Sequence, residues 1–244
     1  MQPTVERHFA VPGTFNIRDL GGYAAATGQT RWRRLLRADG LHRLDAAGMA
    51  ILTDAGVTTV IDLRRDDELE SHPNPFSANP AVAYHHVSLF DRLAPSAMVA
   101  DVLHDLYVQA LTTRQSAIAE ILTVIADAPE GVVMFHCTAG KDRTGLVAML
   151  MLLLAGVEHK IILEDYARTG EMIAPMIEEI IADATSRGVD IETFRPLLAC
   201  SPDTMAATLA HLSDSHGTIE AYLSEIGLSP DTIVRLNSRL TEKR

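Results

Sequence analysis

Val132-Val133-Met134-Phe135-His136-Cys137-Thr138-Ala139-Gly140-Lys141-Asp142-Arg143-Thr144-Gly145 is the stretch on which the reading of this chain turns. Its first four residues are apolar and follow the turn Pro129-Glu130-Gly131, the pattern of a buried strand. From Leu146 to Val157 an apolar run of 12 residues reads as a buried helix, too short to cross a bilayer. Between them lies the glycine-containing loop Cys137–Arg143. A tight loop that passes from a strand into a helix aims backbone N–H groups at one spot, and the helix dipole adds positive potential there. A cysteine in such surroundings becomes a thiolate at neutral pH. Arg143, six residues further on, can curl back and hold two phosphate oxygens through its planar fork. A nucleophile, a ring of donors and a bidentate cation together suit attack on a phosphate ester.

Outward from this stretch, Val57-Thr58-Thr59-Val60-Ile61-Asp62-Leu63 is β-branched and apolar, like a buried parallel strand. Ala81–Leu89 reads as another strand, with shorter ones at Phe15–Ile17 and Trp32–Arg37 separated by Gly21-Gly22. Asp45 is placed to cap a helix that runs to about Ala55 and ends at Gly56. Ser71–Pro80, with three prolines and two asparagines, reads as a loop. Helices are expected near 98–112 and 114–127, then in an almost unbroken series near 158–168, 175–186, 190–198, 203–214, 218–226 and 230–240. Strands alternating with helices, then helices alone, predict one α/β domain over residues 1–244. Its expected form is a central, mostly parallel sheet flanked by helices, with extra C-terminal helices.

Of the 244 residues, 47% are hydrophobic, enough to offset the entropy of ordering the chain and so to exclude a mainly disordered state. The formal charge of −11 disfavours non-specific binding to nucleic acid or anionic lipid. That charge is uneven: residues 1–65 hold nine Arg against six acids, a net of +3, and the remainder carries −14. A local anion site on an acidic body is the simplest reading. Cys137 and Cys200 do not make a disulfide framework, so two free thiols in a reducing compartment are expected. The N-terminus lacks the basic segment and apolar run of a signal peptide, which points to a cytoplasmic protein with no integral membrane association and leaves signal-independent secretion open. The sequence leaves the oligomeric state undetermined.

The run His136-Cys137-Thr138-Ala139-Gly140-Lys141-Asp142-Arg143-Thr144-Gly145 resembles the phosphate loop of the cysteine-dependent protein tyrosine phosphatase superfamily, in a version found in one bacterial branch. Phe15-Asn16-Ile17-Arg18-Asp19-Leu20-Gly21-Gly22, Leu36-Arg37-Ala38-Asp39, Ile61-Asp62-Leu63-Arg64 and Ala221-Tyr222-Leu223 match the same branch, so the resemblance extends from about residue 10 to 240. It implies a phosphomonoester hydrolase, single- to triple-specific, in which Cys137 forms a cysteinyl-phosphate that water then cleaves, with no metal or other cofactor. It also implies a phosphate cradle of Thr138, Ala139, Gly140, Lys141, Asp142 and Arg143, with Arg143 and the loop amides stabilising the transition state. Thr144 would donate to the departing sulfur, and His136 would order the loop. The branch assigns the general acid to the aspartate inside the loop, here Asp142; larger superfamily members use one on a separate upstream loop, where Asp91 stands. In a related enzyme the helices at about 170–200 form a lid, and the apolar stripe Ile173, Met176, Ile177, Ile180, Ile181 and Ala184 fits such a lid or plain core packing.

Other residues carry two readings each. Lys141 is either a second anion contact, favouring polyanions such as phosphoinositides, or a solvated side chain. Arg18, Arg37 and Arg64 either build a positive mouth or pair with nearby acids such as Asp19, Asp39 and Asp62. Cys200 reads as a packing residue at a helix end, or as a disulfide regulator of Cys137. A nucleotide-binding Gly-Lys loop fails, because it needs Gly at 135 and Ser or Thr at 142 where Phe135 and Asp142 stand. A sulfurtransferase is disfavoured by Arg143-Thr144-Gly145, and a non-catalytic phospho-ligand reader by the presence of nucleophile, arginine and acid together. The substrate partner is a phosphorylated protein or a phosphoinositide, with phosphotyrosine ahead.

Overall fold

The computed structural model describes residues 6–90 and 102–241. Among the described residues seven strands run in chain order: β1 (Arg18–Asp19), β2 (Ala24–Ala25), β3 (Gly28–Gln29), β4 (Leu35–Ala38), β5 (Val57–Asp62), β6 (Ala83–His86) and β7 (Val132–His136). Five of them form one sheet in the order β1-β4-β7-β5-β6; only the β1–β4 pair is antiparallel. β2 and β3 make a separate hairpin that the sequence pattern did not announce. The twelve α-helices among the described residues are α1 (Ala46–Asp54), α2 (Asp66–Ser71), α3 (Val102–Thr113), α4 (Gln115–Asp127), α5 (Asp142–Leu154), α6 (His159–Ala167), α7 (Thr169–Ile173), α8 (Ile177–Ser186), α9 (Ile191–Phe194), α10 (Pro202–His216), α11 (Ile219–Glu225) and α12 (Pro230–Leu240). The fold is therefore α/β, with a mostly parallel sheet flanked by helices.

β7 is the central strand, and all five of its residues are buried. Its alternating side chains serve opposite faces: Val133 and Phe135 join a large apolar cluster with α3 to α6 and α10 to α12, while Val132 and Met134 join a smaller one under α1. α5 leaves β7 into the larger cluster and is buried almost all round, which explains its uniformly apolar sequence. It ends where the chain needs a left-handed turn: Gly156 has φ +71°, and the amides of Gly156 and Val157 return to the carbonyls of Leu153 and Leu152. A Cβ at Gly156 would lie 2.6 Å from the Cβ of Ala26, so any larger residue there displaces the β2–β3 turn.

Element boundaries moved for identifiable reasons. The expected strand Trp32–Arg37 starts only at Leu35, because Arg33 takes a left-handed φ of 56° and donates its amide to Asp19. Phe15 and Asn16 are not in a strand; their amides are taken by the buried Asp39 carboxylate, and pairing begins at Arg18. Ser71–Pro80 contains a single 3₁₀ turn, Pro75–Ala78, started by Asn74. Asp45 caps α1 as expected, accepting from the amide of Gly48 at 2.8 Å.

Candidate active site

Cys137 follows directly from the end of β7, and Arg143 lies in the first turn of α5, so the loop between them is anchored by two buried elements. Three successive carbonyls of that loop face outward. The Thr138 carbonyl accepts from the amide of Gly40 at 2.9 Å, that of Ala139 from Asn16 Nδ2 at 3.0 Å, and that of Gly140 from Arg37 Nη2 at 2.7 Å. In a trans peptide the C=O and the following N–H point in opposite directions. The amides of Ala139, Gly140 and Lys141 are therefore turned away from those partners, as donors for an anion. Gly140 has φ +66°, and a Cβ there would meet the Ala38 carbonyl oxygen at 2.7 Å, so the tight turn requires glycine.

Arg18 and Arg37 do not form a positive mouth. Both are fully buried behind the loop and converge on Asp165 of α6, not on Asp19, Asp39 or Asp62. Arg18 lies 3.6 Å from Asp165 and donates to the Asp165 carbonyl; Arg37 pairs with the carboxylate by a short contact. Burial pulls the Arg18 guanidinium down to about 10, against the Asp165 charge. Arg64 does pair with Asp62, bidentately, at 2.9 and 2.7 Å. Asp62 in turn lies 3.2 Å from His136 Nε2 and accepts from Asn74 at 2.8 Å. Burial would raise the Asp62 carboxyl, yet His136 and Arg64 hold it far below the usual carboxylate range. His136 Nδ1 lies 3.1 Å from the Cys137 carbonyl, so this buried chain reaches from Arg64 to the peptide of Cys137.

On the open side, the Arg143 guanidinium is gripped by Glu68 of α2, with Nη1–Oε2 2.5 Å and Nη2–Oε1 3.0 Å. Glu68 also accepts from Thr138 Oγ1 by a short bond and, as the third residue of a capping box, from the amide of Arg65 at 3.0 Å. Burial alone would raise the Glu68 carboxyl; the bonds and charge of Arg143 hold it down to about 2. A guanidinium has five donors on two usable edges. Glu68 occupies the Nη1/Nη2 edge and Nη2 also reaches Thr138 Oγ1 at 3.2 Å, so among the described residues Nε is the donor left for a phosphate. Sequence reading missed Glu68, whose one signal was its spacing from the Arg65 cap.

The other candidates are distributed as follows. Asp142 is the first residue of α5 and receives the Tyr107 hydroxyl at 2.5 Å, with Lys141 Nζ 3.1 Å from the same Oδ1. Lys141 is neither solvated nor open to an anion: it is buried, and its ammonium donates to the Leu197 carbonyl. Thr144 Oγ1 is buried with no hydrogen-bond partner, so the expected bond to the sulfur is not made in this arrangement. Asp91 lies outside the described residues. Cys200 is a free, partly buried thiol packed against the larger cluster. Among the described residues no group of three or more His, Cys, Asp or Glu could hold a metal ion, and no helix is long and apolar enough to cross a membrane.

Residues 9–242 match the model of the tyrosine phosphatase family. The chain belongs to that family. Among its relatives, the triple specificity protein phosphatase PtpB of Mycobacterium tuberculosis is 28% identical over 94% of this chain and 98% of its own length. A tyrosine-protein phosphatase of Nostoc commune is 33% identical over 84% of this chain and 73% of its own. The solved structure of P. aeruginosa TpbA overlaps with a TM-score of 0.44 at 19% identity, covering 81% of this chain and 99% of that one, a likeness too loose to bear on function. This tyrosine phosphatase therefore carries Cys137 and Arg143 on a loop whose outward carbonyls are all engaged.

Proposed function

We propose that the protein hydrolyses phosphomonoesters through a phosphocysteine on Cys137, with phosphotyrosine as the preferred substrate class. The observation that carries this reading is the division of the loop into a bound outer side and a donor-lined inner side above a recessed thiol. Cys137 Sγ attacks phosphorus while the ester oxygen leaves with a proton from Asp142. The amides of Ala139 to Lys141 and the Nε side of Arg143 take the charge that grows on the equatorial oxygens. Water then attacks the phosphocysteine, returns a proton to Asp142, and releases phosphate and the thiolate.

Two features support phosphotyrosine. Cys137 is only 2% exposed, and a recessed thiol is reached more readily by a long phenyl phosphate than by a short seryl phosphate. Lys141, which a polyanionic phosphoinositide would need as a second contact, has its ammonium committed to the Leu197 carbonyl and Asp142. Residues 1–244 are read as one catalytic domain, with the segment 170–200 as a lid latched by that Lys141 contact and by the Arg43–Glu179 ion pair at 3.1 Å. The test is metal-free turnover of a phosphotyrosine peptide, a phosphothreonine peptide and a short-chain phosphoinositide by wild type and Cys137→Ser. Vanadate-sensitive turnover by wild type alone, fastest on phosphotyrosine, is expected. A phosphoinositide preference would overturn the substrate assignment, and binding without turnover would make the protein a phospho-ligand reader.

A further inference from the structure

Three helices meet at one carboxylate. Tyr107 of α3 and Tyr166 of α6 lie within the larger apolar cluster, with hydroxyl oxygens 2.7 Å apart and rings edge-on at 6.2 Å. Tyr107 is fully buried, and its hydroxyl reaches Asp142 Oδ1 at 2.5 Å. Gly145 makes room for this: a Cβ there would lie 3.2 Å from the Tyr166 ring, so glycine lets that ring approach the first turn of α5. Phenylalanine would fill both ring sites without the desolvation of two hydroxyls. Packing therefore accounts for the rings and leaves the hydroxyls to be explained.

We infer that Tyr107, backed by Tyr166, is a positioning residue that fixes which oxygen of Asp142 delivers the proton in the reaction; the inference rests on the phosphatase reading above. An ionised carboxylate only accepts, so the order of donation is Tyr166 to Tyr107 to Asp142. Lys141, which has donors only, faces the same Oδ1 at 3.1 Å. With two donors on Oδ1, the transferable proton resides on Oδ2. In the first step the phosphorus–oxygen bond breaks as the sulfur–phosphorus bond forms, and the departing oxygen takes the Oδ2 proton. In the second step Oδ2 recovers a proton from the attacking water as the sulfur–phosphorus bond breaks. Tyr107 loses no proton in either step; burial and the Asp142 charge hold its phenol well above the usual range, which keeps it a donor.

Proton delivery matters most when the leaving group is a poor one, so the test compares phenyl phosphate with 4-nitrophenyl phosphate. Wild type, Tyr107→Phe, Tyr166→Phe, Tyr107→Phe/Tyr166→Phe, Asp142→Asn and Tyr107→Phe/Asp142→Asn are assayed for kcat/KM on both, which reports leaving-group departure and not the shared second step. The ratio of the nitrophenyl to the phenyl rate should rise at least about fivefold in Tyr107→Phe and in the double tyrosine variant, and less in Tyr166→Phe. It should rise further in Asp142→Asn, with no added effect of Tyr107→Phe on that background. The double tyrosine variant leaves no tyrosine hydroxyl unpartnered, so it decides the matter if Tyr107→Phe alone does not fold. Equal falls on both substrates, or additive effects with Asp142→Asn, would overturn the inference and leave Tyr107 a structural residue. A wild type inactive on both esters would instead reject the phosphatase reading itself.

Discussion

The two sides of the phosphate loop use the same residue type for opposite ends. Behind the loop, Arg37 and Arg18 are sealed from solvent on a single carboxylate, Asp165, and Arg37 spends a remaining donor on the Gly140 carbonyl. In front, Arg143 is held by Glu68 through both terminal nitrogens, with Thr138 Oγ1 also on Nη2, and among the described residues its Nε is left open. A guanidinium sealed against a buried carboxylate is a strut, whereas one with an open donor beside a thiol is suited to receive an oxyanion. The contrast predicts that changes behind the loop are felt as lost stability and changes in front as lost turnover.

Asp165→Asn should have the largest effect. It strands two buried cations, and an unmatched buried charge costs about 3–5 kcal/mol, so the thermal midpoint should drop by roughly 6–20 °C. A drop of only a degree or two would break the contrast at its rear. Arg143→Lys keeps the charge but loses the fork; kcat should fall about 10²–10³-fold, with a far smaller change in melting temperature.

Glu68→Gln sits between these limits. Exchanging a charge-assisted grip for a neutral one should lower kcat/KM about tenfold. It also has a pH signature. Glu68 is depressed to about 2 in the folded protein, so its stabilising contribution is complete above the unfolded value of about 4.3 and fades as pH falls from there through about 2. Stability measured by denaturant over that range should decline less steeply in Glu68→Gln than in wild type. The smallest effect is expected for Asn16→Ala, which removes the bonds to the Ala139 and Gly140 carbonyls and should cost about 0.5–1.5 kcal/mol in denaturant unfolding.

The same front-and-back division explains what the sequence disclosed. The strand, loop and helix at Val132–Leu154 are contiguous, and each has a local signature: an apolar run, a glycine, a buried helix pattern. Arg64 with Asp62 was legible because the partners are two residues apart. Arg37 and Arg18 found Asp165 at separations of 128 and 147 residues, so local pairing pointed to Asp39 and Asp19 instead. Those two carboxylates accept from backbone amides, which leave no mark in a charge pattern, and their ion-pair partners are Arg43 and Arg33 instead. Glu68 was hidden for a different reason: within Asp66-Asp67-Glu68-Leu69-Glu70 it looks like one more solvated acid. Lys141 was misjudged because the segment that covers it, around Leu197, is 56 residues away.

The most direct test of the central claim is the site of the covalent intermediate. Wild type and Cys137→Ser, mixed rapidly with 4-nitrophenyl phosphate and quenched in denaturant, can be digested and mapped by mass spectrometry. One phosphoryl group on the Cys137 peptide of wild type, formed during the first turnover and missing from the serine variant, is the result expected. A phosphoryl group on another residue, or undiminished turnover by Cys137→Ser, would contradict the account.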